Sequence, residues 1–240
     1  MKKNKAKTNI CQIILAIIMA LCTFILSLYV TFMPNALNRQ IYINHFTGSE
    51  SAIDSNLSQE TLNMLIDRIL TYSYGSSNDL QISITTLDGT TKDAFISDEI
   101  MHYYDVQALF IKGRLLVAIC AVIFLGCLAY FIIKRDAIKR SSILAGLLTI
   151  VGLTVASAVL LIVAASDFDN AFITFHHIFF HNDYWLLPWD SVSIITMPES
   201  AFYEVAIRTL IEFVIVLAVE CTLLIVFYKK KSHKKRQQLS

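Results

Sequence analysis

Four apolar runs, each of roughly 20 residues or more, constrain this chain more than any other feature. They extend from about Thr8 to Met33, Leu115 to Ile133, Ile143 to Ala165 and Val205 to Tyr228. A helix of that length crosses a hydrocarbon core of about 30 Å. Apolar residues make up 55% of the sequence and charged residues 16%, with a mean hydropathy of +0.58. In a bilayer this composition is solvated, whereas in water it would aggregate. The first run follows Met1-Lys2-Lys3-Asn4-Lys5-Ala6-Lys7, as a secretory signal does. It is too long for one, and no small-x-small cleavage site follows. Met19-Ala20-Leu21-Cys22 is a poor lipidation box because Leu21 is too large for its position. The first run is therefore read as a retained span.

Charge orients the spans. The N-terminus, the 134–140 loop and the tail after Tyr228 carry 14 of the 20 lysines and arginines and a single acid, Asp136. The 34–113 and 166–204 segments carry most of the acids and few bases. By the positive-inside rule, both termini are cytoplasmic and those two segments extracytoplasmic. The expected architecture is a mainly α membrane protein. Four transmembrane helices accompany a small α+β extracytoplasmic domain and an extracytoplasmic interfacial loop or helix. The expected segments are a basic N-terminus with the first span (1–33), the extracytoplasmic domain (34–113), the second span (114–134), a cytoplasmic loop (135–142), the third span (143–165), the interfacial segment (166–204), the fourth span (205–228) and a basic tail (229–240). The tail reads as a cytoplasmic flank, not as a nucleic-acid site. The five cysteines lie in or beside apolar runs, so neither a disulfide framework nor a cysteine-ligated zinc is expected.

Within 34–113, Leu62, Leu65, Ile66, Ile69 and Leu70 form one apolar stripe of a helix that Asn56 or Ser58 can cap. Leu80, Ile82 and Ile84 alternate as a strand. Asp88-Gly89 gives a two-residue turn, and Thr90 to Phe95 can return as a second strand. Asp98 is the next plausible N-cap, before a helix carrying Glu99, His102 and Asp105. Between the third and fourth spans, Phe168, Phe172, Phe175 and Phe179 recur at helical spacing. The simplest account is a short interfacial helix, capped by Asp167 or Asp169, with its phenylalanine face toward lipid. Three of the six histidines and both tryptophans fall between Phe172 and Glu204.

Histidine titrates nearest neutrality and is the natural proton-transfer side chain. His102 precedes the second span and His176 follows the third, so both belong near the outer membrane surface. Asp105, three residues after His102, can reach one ring nitrogen on a helix and fix the tautomer of the other. Taken singly, each histidine is more often an interfacial side chain with satisfied hydrogen bonds. His177 and His181, at i and i+4, could share a metal, yet no His-Glu-x-x-His pattern occurs. No Gly-x-Ser-x-Gly elbow is present, and no cysteine lies on the extracytoplasmic side. Trp189 reads as an aromatic-belt anchor. The fourth span carries Arg208 and Glu212, which at i and i+4 near its outer end are expected to pair, and Glu220, deep enough to demand a partner or a proton.

Two blocks resemble a known family, the lipoprotein intramolecular transacylases of Gram-positive bacteria. Glu99-Ile100-Met101-His102-Tyr103-Tyr104-Asp105-Val106 is similar to its Glu-x-x-His-x-x-Asp-Val pattern. Phe175-His176-His177-Ile178-Phe179-Phe180-His181-Asn182-Asp183-Tyr184-Trp185, followed by Asp190 and Met197-Pro198-Glu199, is similar to its Phe-His-x-x-Phe-Phe-x-Asn-x-x-Trp block. The resemblance implies a membrane acyltransferase with no cofactor and no metal. Its partners would be a diacylated lipoprotein substrate and membrane lipid. It would move the sn-2 acyl chain of a diacylglyceryl-cysteine onto the cysteine's own amino group, giving the lyso form without an acyl-enzyme. By the match, His102 and His176 are the catalytic acid and base, in an order left open. Asp105, Glu99 and Asn182 support them, Asn182 or nearby backbone amides being oxyanion candidates. Phe175, Phe179, Trp185 and Asp190 meet the substrate. The competing class is a four-span sensor or assembly factor that binds a peptide or lipid through the 34–113 domain.

Overall fold

The computed structural model describes residues 2–47 and 49–237; Met1 and residues 238–240 of the basic tail lie outside the described residues. The protein is mainly helical. In chain order it has α1 (Lys2–Ala36), α2 (Arg39–Phe46), α3 (Glu50–Asp54), α4 (Gln59–Tyr74), β1 (Ser83–Thr85), β2 (Thr91–Asp93), α5 (Ser97–Ile133), α6 (Arg140–Ser166), α7 (Phe168–Phe179), α8 (Val192–Thr196) and α9 (Glu199–Gln237). Four helices among the described residues have stretches long and apolar enough to cross a membrane: Asn9–Ala36, Ser97–Ile133, Arg140–Ser166 and Glu199–Lys230. The chain divides into two compact units.

One unit comprises Met1–Thr31, Leu116–Val163 and Thr209–Ser240. Its apolar cluster joins Ala20, Ile150, Phe213 and Leu217, with Phe24 edge-on to Phe213 at 5.1 Å between centroids. Gly146 of α6 packs on Ala16 of α1, where a Cβ would make only ordinary van der Waals contact, 3.5 Å from the Ala16 carbonyl oxygen. Polar side chains here work in pairs. Buried Gln12 donates to the Ala137 carbonyl (3.2 Å) and accepts from the Lys139 N–H (3.0 Å), clamping the basic loop through both ends of one amide. Deep Glu220 finds its partner in Ser27, whose hydroxyl donates to it at 2.6 Å. In a low-dielectric interior such a bond replaces the water a carboxyl would otherwise need.

The second unit comprises Phe32–Leu115 and Ala164–Arg208. Its core collects Ile41, Tyr42 and Phe46 of α2, and Leu62, Leu65, Ile66 and Ile69 of α4. Leu80, Ile84, Phe95, Tyr103, Val192, Ile195, Met197 and Val205 complete it. Each large apolar side chain buried here contributes about 1.5–3 kcal/mol. Ser58, not Asn56, caps α4, accepting from the Thr61 N–H. Asn56 instead adopts a left-handed conformation (φ 55°) and donates to Asp88. α4 ends at Gly75, whose φ of 83° favours glycine. A Cβ there would also crowd the Arg114 guanidinium at 3.2 Å. Gln107 and Arg114, two turns apart on α5, donate to the carbonyls of Tyr72 and Tyr74 in the last turn of α4, the first of which also accepts from the Gly75 N–H.

β1 and β2 pair antiparallel, with Ile84 opposite Lys92. The connecting turn is longer than the expected two residues. Thr86 and Thr90 remain paired (Thr86 N–H to Thr90 O, 2.9 Å), leaving Leu87, Asp88 and Gly89 as the loop. Gly89 takes φ 87°, and Asp88 accepts from the Thr86 hydroxyl and the Thr90 N–H. These bonds hold the Asp88 carboxyl down at about 2. Asp98 is not the cap of α5, which begins one residue earlier. The cap is made by Glu99, which reaches back to the Ile96 N–H at 2.8 Å. α5 then runs unbroken through Gly113 to Ile133.

Candidate active site

α5 and α7 supply the two histidines. His102 lies in the second turn of α5 and His176 in the last turn of α7. Asp167 starts α7, its side chain accepting from the Asn170 N–H, and these bonds hold its carboxyl below the usual range. The imidazole centroids stand 5.9 Å apart with planes inclined at 33°. Phe180 touches both, 5.2 Å from His102 and 5.6 Å from His176. Both histidines line an apolar cavity of about 500 Å³, a small-ligand size. Phe168, Phe172, Phe175, Phe180, Trp185 and Phe202 also lie on its wall. The expected phenylalanine face is divided: Phe168 and Phe172 line the cavity, Phe179 is exposed at 47%, and Phe175 lines the cavity while 43% exposed.

His176 is buried and its tautomer follows from its contacts. Nδ1 lies 2.7 Å from the Phe172 carbonyl oxygen. A carbonyl can only accept, so Nδ1 carries the proton and Nε2 keeps its lone pair. The Trp185 indole stacks on the ring at 4.8 Å and 27°, and Phe172 packs against it at 4.3 Å. Burial lowers the His176 pKa below the ordinary histidine value. The bond to Phe172 opposes that shift and neighbouring His177 adds to it. At neutral pH the ring is uncharged.

His102 is placed differently. Its Nδ1 is buried with no hydrogen-bond partner. The bond expected from Asp105 is not formed, because Asp105 accepts from the Asn182 amide at 2.8 Å. Spacing on the helix allowed the His102–Asp105 contact, but the amide donor arriving from after α7 takes the carboxylate. Asp105 and Asn182 thereby join the two histidine-bearing segments. Glu99 does the same at lower exposure. Only 1% exposed, it accepts from the Ser193 N–H (2.8 Å) and hydroxyl (2.6 Å) besides the Ile96 N–H. Sequence reasoning missed Ser193, Phe180 and the Phe172 carbonyl. Serine in a short helix carries no signal of its partner, and a backbone acceptor has no side-chain signature.

Of the other candidates, Phe175 and Trp185 are on the cavity wall, whereas Phe179 and Asp190 are not. His177 is exposed and packs at right angles to Trp185, at 5.2 Å between centroids. His181 follows the end of α7, so the i, i+4 helical pair with His177 does not form. Trp189 is exposed at 77%. Arg208 pairs with Glu204, one turn earlier on α9, and Glu204 also bonds His45 at 2.6 Å.

A mainly helical, multi-pass membrane protein with two histidines facing one apolar cavity is the class that fold and site define. The solved structure of the membrane-integral lipoprotein intramolecular transacylase Lit from Bacillus cereus shares this fold. Its TM-score is 0.72 at 16% identity, over 93% of this chain and 98% of that one. Two variants of the same protein, with one histidine replaced by arginine or by alanine, give TM-scores of 0.72 and 0.70 at the same identity. They cover 97% and 98% of this chain and 99% of theirs. No curated protein matches the chain. The family model for lipoprotein intramolecular transacylase Lit matches residues 13–203, and the chain belongs to that family of membrane enzymes. An enzyme family displaces the sensor or assembly-factor reading.

Proposed function

We propose that the protein moves the sn-2 acyl chain of a diacylglyceryl-cysteine lipoprotein onto the amino group of the same cysteine. The reaction would proceed by histidine acid–base catalysis without an acyl-enzyme, at a site on the outer membrane surface, with both termini cytoplasmic. The observation that carries the reading is the pair of imidazoles on one apolar wall, 5.9 Å apart.

Donor ester and acceptor amine belong to one molecule, so the enzyme has to bend rather than to collect. The cyclic transition state has about eight atoms, and holding it closed is the proximity part of catalysis. His176 is the base, because its Nε2 keeps a lone pair while Nδ1–H is tied to Phe172. It removes a proton from the amine as nitrogen attacks the ester carbonyl. His102, which burial and the neighbouring His176 keep neutral by holding its pKa down at about 4, relays that proton from His176 to the departing glycerol oxygen. One N–C bond forms, one C–O bond breaks, and one proton passes from nitrogen to oxygen. Asp105 and Asn182 act on distance, holding the segment after α7 against α5. Glu99 and Ser193 do so from the buried side. Phe172, Phe175 and Phe180 offer an apolar wall to acyl chains.

Expression of His102→Ala and His176→Ala in cells tests the assignment. Each variant should accumulate to wild-type levels and lose about 100-fold or more of lyso-form production. Full activity in either would remove that histidine from the mechanism.

A further inference from the structure

Transfer of an acyl group passes through a tetrahedral intermediate. Attack of the amine nitrogen pushes the carbonyl π electrons onto oxygen, and that charge needs a hydrogen-bond donor until the C–O bond to glycerol breaks. We infer that the indole N–H of Trp185 is this donor, so that Trp185 is a catalytic residue for the acyl shift and not only part of the apolar wall. The inference rests on the reading of the function given above.

Three observations support it. Trp185 Nε1 is buried and no acceptor of the protein reaches it, although a buried indole N–H ordinarily has a partner. A buried N–H that the protein leaves without an acceptor is available to one that arrives with substrate. Trp185 also lies on the wall that holds His102 and His176, stacked on the base itself at 4.8 Å. The indole and the imidazole of His176 therefore lie side by side on one wall of the cavity. Finally, two hydroxyl donors are already committed, and His102, whose Nδ1 is also without a partner, is assigned to the leaving group. The Tyr42 hydroxyl donates to the Ala36 carbonyl at 2.8 Å and the Ser193 hydroxyl to Glu99. Asn182, the donor that the sequence suggests, is not on the wall and gives its amide to Asp105.

Purified protein acting on a synthetic S-diacylglyceryl-cysteine peptide tests this through two replacements. Trp185→Phe keeps an aromatic ring on His176 and removes the N–H. Replacement of Trp185 by 3-benzothienylalanine keeps the bicyclic shape and puts sulfur where the N–H was. Both should lower kcat roughly 100- to 1000-fold with KM changed only a few-fold. The acid limb of the pH–rate profile should stay in place, since the stack on His176 remains. A purely packing role predicts that the benzothienyl protein works normally. A kcat within about threefold of wild type for that protein overturns the inference, whatever Trp185→Phe does through misfolding. Failure of the wild-type protein to shift the acyl chain at all would instead overturn the parent reading.

Discussion

At the scale of single residues, the account rests on protonation. His176 is buried against Phe172, Phe180 and Trp185, and burial sets its pKa below the ordinary value near 6.5. The base form is therefore retained as pH falls through the range where a solvated histidine would already be charged. The acid limb of kcat against pH should lie below about 6.5; a limb at or above that value would show the base to be another group. The same depression has a stability consequence. Between the folded and unfolded pKa values the unfolded chain binds more protons, so this contribution is intact above the unfolded value and is lost as pH falls through the folded one. The Asp105 partner was the residue-scale surprise. Spacing alone favoured His102, but helical i, i+3 spacing only permits a contact, and Asn182 from another segment takes the carboxylate.

At the scale of elements, much was legible because the causes are local. The α4 stripe, the Asp167 cap of α7 and the pairing of β1 with β2 follow from periodicity and turn chemistry within a dozen residues. What was not legible joins segments far apart in the chain. Glu99 meets Ser193, Glu220 meets Ser27, and Glu204 meets His45. No local pattern encodes such a partner. The Glu99 knot is open to measurement. Glu99→Ala would leave the N–H and the hydroxyl of buried Ser193 without an acceptor, and would remove the acceptor of the Ile96 N–H at a more exposed position. Orphaned buried donors cost about 1–3 kcal/mol each. The detergent-solubilised variant should unfold several degrees below wild type, with Glu99→Gln between the two because it keeps one acceptor oxygen. An unchanged midpoint for Glu99→Ala would mean that α8 is held without it.

At the scale of the whole molecule, four membrane-length helices and the transacylase family are established, while sidedness is proposed from charge. In a background without native cysteines, a membrane-impermeant thiol reagent added to intact cells should label Asp54→Cys and spare Lys229→Cys. The opposite pattern would invert the protein. The central claim concerns the product. An intramolecular acyl shift conserves every atom, so substrate and lyso form have the same mass and differ only in where one acyl chain sits. Tandem mass spectrometry of the N-terminal lipopeptide of one lipoprotein, from cells with and without this gene, reads that difference directly. The account predicts fragments carrying an amide-linked acyl chain and a monoacylglyceryl thioether only when the gene is present. Fragments of a free amino terminus and an intact diacylglyceryl group in both samples would contradict it.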